Sequence, residues 1–192
     1  MLRVLKAFKI GDHVLGILFL AQPPAAVIKN PRGATEDLNK MIAPVAAQFF
    51  DAAKAAGWRH VLLAFVNALA AFRSERNISR ELTVETLLRM SAQSQIDLAM
   101  KRVGVSPVTK SLGVILIASS EKELDAAVRT FVSQWGVSET EERDPPSEQQ
   151  LKKLIDLYSV TEAELKAMQA EDRWRALVNA ILERIAVIDL YR

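Results

Sequence analysis

The stretch Leu87–Ile96, LLRMSAQSQI, gathers Ser91, Gln93, Ser94 and Gln95 in a chain that is 50% hydrophobic. Hydroxyls and primary amides set side by side either punctuate helices, by bonding orphan backbone groups, or form a hydrogen-bonding surface. Capping accounts for half of this box. Ser94 is placed to cap a helix with Asp97 at its third position, and Ser91 or Ala92 closes the helix before it. Gln93 and Gln95 are left without a task. Arg80, Arg89, Lys101, Arg102 and Lys110 lie nearby in sequence. Such a junction of short helices could read a single-stranded nucleic-acid end, with amides on base edges and helix N-termini or guanidinium groups on phosphates. From spacing alone that is one use among several.

Other chemistry finds less support. The chain has no cysteine and only His13 and His60, which excludes disulfides, thiolate nucleophiles and histidine-rich metal sites. Neither glycine-rich phosphate fingerprint is present, nor a G-x-S-x-G elbow. A catalytic triad would have to use His13 or His60. His60, in the first turn of the most apolar helix, reads as a core or capping histidine. Glu85 and Arg89, four apart, read as a helix-face ion pair contributing roughly 0.2–0.5 kcal/mol. No catalytic residue, metal ligand or cofactor follows, and the chain is expected not to be an enzyme.

Two strands, about 2–9 and 13–20, are expected around a turn at Gly11-Asp12. Arg3, Lys6 and Lys9 before the run Val14–Ala21 superficially resemble a signal peptide, but Asp12 and His13 interrupt it and the run is eight residues long. Thr35 is expected to cap a helix that Pro44 stops near Ile42. Residues 45–50 stay open between helix and strand. Helices follow over about 58–73, 83–90 and 94–103, then a buried strand at Leu112–Ala118. Capping boxes at Ser120, Ser147 and Thr161 open three more helices, and Trp174–Tyr191 forms the last. The twelve-residue apolar run Val61–Phe72 is too short to span a bilayer, which takes about 20 residues.

This pattern is a mixed α/β (α+β-like) fold: a small, mostly antiparallel sheet of about four strands flanked by six or seven helices. The 192 residues suit a single domain, with an extended segment at 23–44 and an acidic linker at 136–146. Charge is uneven along the chain. Residues 1–110 carry 15 Lys/Arg against 8 Asp/Glu, net +7, and residues 111–192 carry 10 against 15, net −5. The basic half suggests an anionic partner.

The segments QFFDAAKAAGWRHVLLAFVNALAAF, NIS and VETLLRMSAQSQIDLAMKRVGV, then GVILIASSEKEL, VTEAEL and ILERIAVIDL, resemble the CGI-type (TPRKB-like) small subunits of the KEOPS complex. The matching positions are Asp51, Gly57, His60, Asn77-Ile78, Glu85, Leu87-Leu88, Ser91-Ala92 and Gln95-Ile96. The likeness covers about residues 45–192; Val61 replaces the usual Leu, and Ala92 stands where Gly is common. The resemblance implies a strand at Val45–Phe50 and a cytoplasmic, non-catalytic regulatory subunit of archaeal type. It implies docking on the kinase-like subunit, indirect association with the transferase subunit, and capture of the single-stranded 3′ CCA end of tRNA for threonylcarbamoyladenosine formation. The tRNA contacts are then expected from Arg80, Arg89, Ser91, Gln93, Ser94, Gln95, Lys101 and Arg102. The protein partner is expected on an exposed apolar patch of Met100, Val103 and Val105. No membrane or metal enters this reading; the alternative is a scaffold for the kinase-like subunit that never touches RNA.

Overall fold

The computed structural model describes residues 6–136 and 146–187. The chain divides into two compact units, Met1–Ala53 with Gly104–Glu142, and Lys54–Val103 with Arg143–Arg192. Among the described residues there are four antiparallel strands and nine α-helices, a mixed α/β protein.

In the first unit, β1 (Lys6–Ile10) and β2 (His13–Leu20) pair around Gly11, whose φ of 61° is the left-handed conformation a two-residue hairpin loop needs. The sheet order is β1-β2-β4-β3, with β3 at Ala46–Asp51 and β4 at Leu112–Ala118. Alternate residues, among them Leu18, Phe49, Val114 and Leu116, face a core completed by Leu38 of α2 (Pro31–Ile42) and Phe131 of α6 (Glu121–Trp135). The intervening residues Leu15, Ile17, Ile115 and Phe50 are buried as well, so β2 from Val14 and β4 read as unbroken apolar runs, while β3 also buries Gln48 and Asp51. Gly113 faces Phe19 and Phe50 across the two neighbouring strands. A Cβ there would lie 2.0 Å from the Phe50 ring, so only glycine lets that ring cross the strand. The β3 edge is occupied by Asn39, whose amide donates to the Ala47 carbonyl at 3.1 Å and accepts from the Ala47 N–H at 2.6 Å.

Residues 23–44 are helical: α1 (Ala25–Lys29) precedes α2. The cap of α2 is Asn30, which accepts from the Gly33 N–H, and not Thr35, whose hydroxyl donates back to the Pro31 carbonyl. The proline at the first helical position explains the earlier start, because its missing N–H costs nothing there. The helix ends at Ile42, as Pro44 requires. The strand expected at Val45–Phe50 forms one residue later, at Ala46–Asp51, the family expectation prevailing over the helical look of the alanines.

The second unit is helical. Its centre is α3 (Gly57–Arg73), packed with α4 (Leu82–Ser91) and α9 (Arg173–Ala186). The one polar residue inside the apolar run of α3, Asn67, donates to the Ile185 carbonyl of α9 at 2.7 Å. α5 (Ile96–Val103), α7 (Glu148–Tyr158) and α8 (Glu162–Ala167) complete it. Ser120, Ser147 and Thr161 cap as expected, and Thr161 and Glu164 close a full capping box. Asp172 caps α9. The expected strand residues 2–5, the linker residues 137–145 and the end of the last helix beyond 187 lie outside the described residues.

Candidate functional site

The box closes α4 in a Schellman motif. Gln93 N–H bonds to the Leu88 carbonyl, Ala92 N–H to the Arg89 carbonyl, and Ala92 sits at φ 51°. That left-handed position is one where glycine is favoured. Ser91 is fully buried, its hydroxyl donating to the Leu88 carbonyl at 2.7 Å, so it is helix punctuation and presents nothing to a ligand. The first bond of α5 runs from Ala99 N–H to the Gln95 carbonyl, which places Gln95, not Ser94, at the cap. Gln95 is exposed, as are Ser94, Lys101 and Arg80.

Arg89 leaves the expected surface too. Its side chain and that of Glu85 are both 0% exposed. Arg89 Nε and Nη2 donate to Glu85 Oε1 at 2.9 and 2.7 Å, while Oε2 accepts from the Ile78 and Ser79 N–H groups at 2.9 Å each. The pair is therefore a core fastener that ties the loop before α4 to the helix. The reading of it as a weak surface pair does not hold. The apolar patch is corrected likewise. Val103 is buried, and Val105 packs half-buried against the core of the first unit. Met100 is half-buried; the α5 apolar side chains most open to solvent are Ile96 and Leu98, 39% and 42% exposed.

Gln93, Ser94 and Arg102 do come together, along an open groove of about 1040 Å³ in the second unit. Its second wall is a face of α9, where Ala180, Glu183, Arg184 and Val187 recur at helical spacing. Glu164 and Met168 line it from α8 and its end, and Tyr158 from the end of α7. Arg102 donates to the Ser91 carbonyl at 3.1 Å and lies 5.9 Å over the Tyr158 ring. Arg184 pairs with Glu164, whose carboxyl is held below its usual range chiefly by hydrogen bonds from the Thr161 backbone and hydroxyl. Among the described lining residues, two cations face two anions: the groove is formally neutral. The side chains of Gln93, Ser94 and Glu183 have no hydrogen-bond or ion-pair partner among the described residues.

Beneath the groove lies the His60 contact. His60 is fully buried; its Nδ1 accepts from the Ala56 N–H at 3.1 Å, which leaves the proton on Nε2 to donate to the Met90 carbonyl at 2.8 Å. Burial lowers its pKa to about 4 against the opposing hydrogen bond to Met90. The Tyr158 hydroxyl donates to the Lys54 carbonyl at 3.0 Å, and its ring meets the imidazole edge-on at 5.5 Å. Burial pushes the Tyr158 phenol up in pKa, with Arg102 opposing. A neutral imidazole with both nitrogens engaged holds the start of α3 to the end of α4. It is a structural group in this state, since neither nitrogen is left to accept a substrate proton. Among the described residues no cluster of metal-ligating side chains occurs, and no helix is long and apolar enough to cross a membrane.

The family model described as kinase binding protein CGI-121 matches residues 26–189. The chain belongs to this family. No curated protein matches it at a significant level. The CGI-121 match runs through the box and both walls of the groove and begins within the helical segment 25–42. The sequence reading missed the α8–α9 wall. The local signal was weak: Ala180, Glu183, Arg184 and Val187 share one helical face, but α9 carries polar residues on other faces too, Arg173, Arg175 and Asn179.

Proposed function

We propose that this CGI-121 chain is a non-catalytic regulatory subunit of a KEOPS-type complex. In this reading it docks on the kinase-like subunit and recruits tRNA through its single-stranded 3′ CCA end for threonylcarbamoyladenosine formation. Family membership supports the kinase partner. The observation that carries the RNA reading is the groove: Gln93 and Ser94 project into it without protein partners, beside Arg102 and the Tyr158 ring. Free amides and hydroxyls in an open groove are what read the edges of unstacked bases; Tyr158 is buried, with Arg102 over its ring, so it supports the groove wall and offers no stacking face. Arg80, Gln95 and Lys101, exposed outside the groove lining, are the remaining candidates for the backbone of the same strand. For the kinase-like subunit the candidate surface moves to Ile96, Leu98 and Met100 on α5.

The test is a titration of the full chain with intact tRNA and with tRNA lacking its CCA end. Tighter binding of the intact tRNA is the expected result; equal or absent binding overturns the recruiter. The small charge of the second unit, 16 Lys/Arg against 13 Asp/Glu, favours as a second reading a scaffold that binds only the kinase-like subunit. That reading expects no tRNA binding, with co-elution of the kinase-like subunit in gel filtration retained.

A further inference from the structure

We infer that Glu183 is a specificity-determining residue of the groove, accepting the exocyclic amino group of a base and selecting cytosine over uracil in the strand it holds. The inference rests on the groove being the RNA site. Phosphates gain little from this groove, because Arg184 is paired with Glu164 and Arg102 is anchored on the Ser91 carbonyl and the Tyr158 face. The Glu183 carboxylate is the lining anion without a protein partner among the described residues. It would repel a phosphate. An ionised carboxylate can only accept hydrogen bonds, so its complement is an N–H donor. Cytosine offers the N4 amino group where uracil has the O4 carbonyl, and a carboxylate facing that carbonyl is unsatisfied and repelled. Gln93, which can both donate and accept, tolerates either base and does not discriminate by itself. Glu183 sits mid-wall on the ordered helix α9, on the stripe that lines the groove, so its position is set by the scaffold rather than by a loop.

The experiment measures binding of the full chain to two fluorescein-labelled RNA oligonucleotides identical except for 3′ ends CCA and UUA. Wild type is expected to prefer CCA by on the order of ten-fold, the size of one good base contact. Glu183→Gln, which can donate to O4 as well as accept from N4, is expected to bring the two affinities within about two-fold, and Glu183→Ala to lose the preference as well. Both variants are solvent-facing, and an unchanged thermal midpoint verifies their fold. Wild-type binding of CCA with the preference intact in both variants, or with no preference in wild type, overturns the role of Glu183 and leaves the recruiter standing. Wild type that binds neither RNA overturns both.

Discussion

Removing either partner of the Glu85–Arg89 pair is expected to be among the most damaging single changes in the second unit. Both side chains are inaccessible, and the Glu85 carboxylate also accepts two backbone N–H groups, from Ile78 and Ser79. Arg89→Met keeps the apolar stem and strands the carboxylate in the interior. Breaking one side of a buried pair costs about 3–5 kcal/mol, against roughly 0.2–0.5 kcal/mol for an exposed i,i+4 pair. For a chain of this size that is a fall in thermal midpoint of roughly 6–20 °C. Glu85→Gln should cost a similar amount, because it removes the carboxylate charge that faces the buried Arg89 guanidinium. In the double variant Glu85→Gln/Arg89→Met no charge is stranded and the Gln oxygen still accepts from the 78–79 backbone. Its loss should therefore fall well below the sum of the singles, a coupling of about 2 kcal/mol or more. Urea denaturation followed by far-ultraviolet circular dichroism measures all three. A loss under about 1 kcal/mol for Arg89→Met, or simple additivity in the double variant, would refute the assignment of the pair as a buried fastener.

Four further outcomes are expected. Ala92→Gly relieves the left-handed strain at the end of α4 and should stabilise by about 0.5–1 kcal/mol in the same denaturation assay. His60 has its folded pKa lowered to about 4, so its contribution is fully present above pH 6.5 and is lost as pH falls from there toward 4, by about 3 kcal/mol in total; urea midpoints of wild type and His60→Gln across pH 4–7 should converge toward the acid end. Gly113→Ala drives a methyl into the Phe50 ring and should cost about 1–3 kcal/mol, read as a lowered thermal midpoint. The salt dependence of tRNA binding should be shallow: with Arg89 buried and Arg102 engaged, Arg80 and Lys101 remain of the four expected phosphate contacts, giving a log–log slope near −1.4 rather than −2.8 for a single strand.

Most elements were legible because their signals are local. The hairpin turn at Gly11, the stop before Pro44, the unbroken run of β4 and the Ser147 and Thr161 caps each depend on a few adjacent residues. What failed to read depends on burial, which spacing does not report. The Glu85–Arg89 spacing is identical whether the pair faces solvent or core; here the core wins because the 78–79 backbone supplies the remaining donors. Ser91 was ambiguous for the same reason: a serine ending a helix can point its hydroxyl outward or back onto Leu88. Val103 and Val105 look alike in sequence, yet one is interior to the helical unit and the other packs on the sheet unit. The β3 strand was invisible to propensity because Ala-rich segments suit helices. It is held by pairing with β4, from Ala46 opposite Ile117 to Asp51 opposite Leu112, and by the Asn39 amide bonded to Ala47, contacts distant in sequence. Half of the groove was legible as the polar box, and the other half needed the fold to bring α9 opposite it.

The charge pattern shows how a linear signal changes once the chain folds. Along the sequence the first half is strongly basic and the second acidic, which points to an anion-binding half. The units cut across that division: the sheet unit takes 9 Lys/Arg and 10 Asp/Glu, net −1, and the helical unit 16 and 13, net +3. Folding has thus combined basic and acidic segments in each unit and removed most of the field the linear pattern promised. Within the groove the cancellation is complete among the described lining residues. Non-specific attraction to a polyanion scales with the number of phosphates neutralised, so a site of this kind holds nucleic acid weakly through its backbone. What it has instead is uncommitted hydrogen-bonding groups of defined polarity, Gln93, Ser94 and Glu183, among the lining residues. A recruiter built this way gains little from RNA in general and depends on the chemistry of the bases it meets. On the proposed reading, that dependence on bases is what would let the chain pick a tRNA end out of a large excess of other RNA backbone.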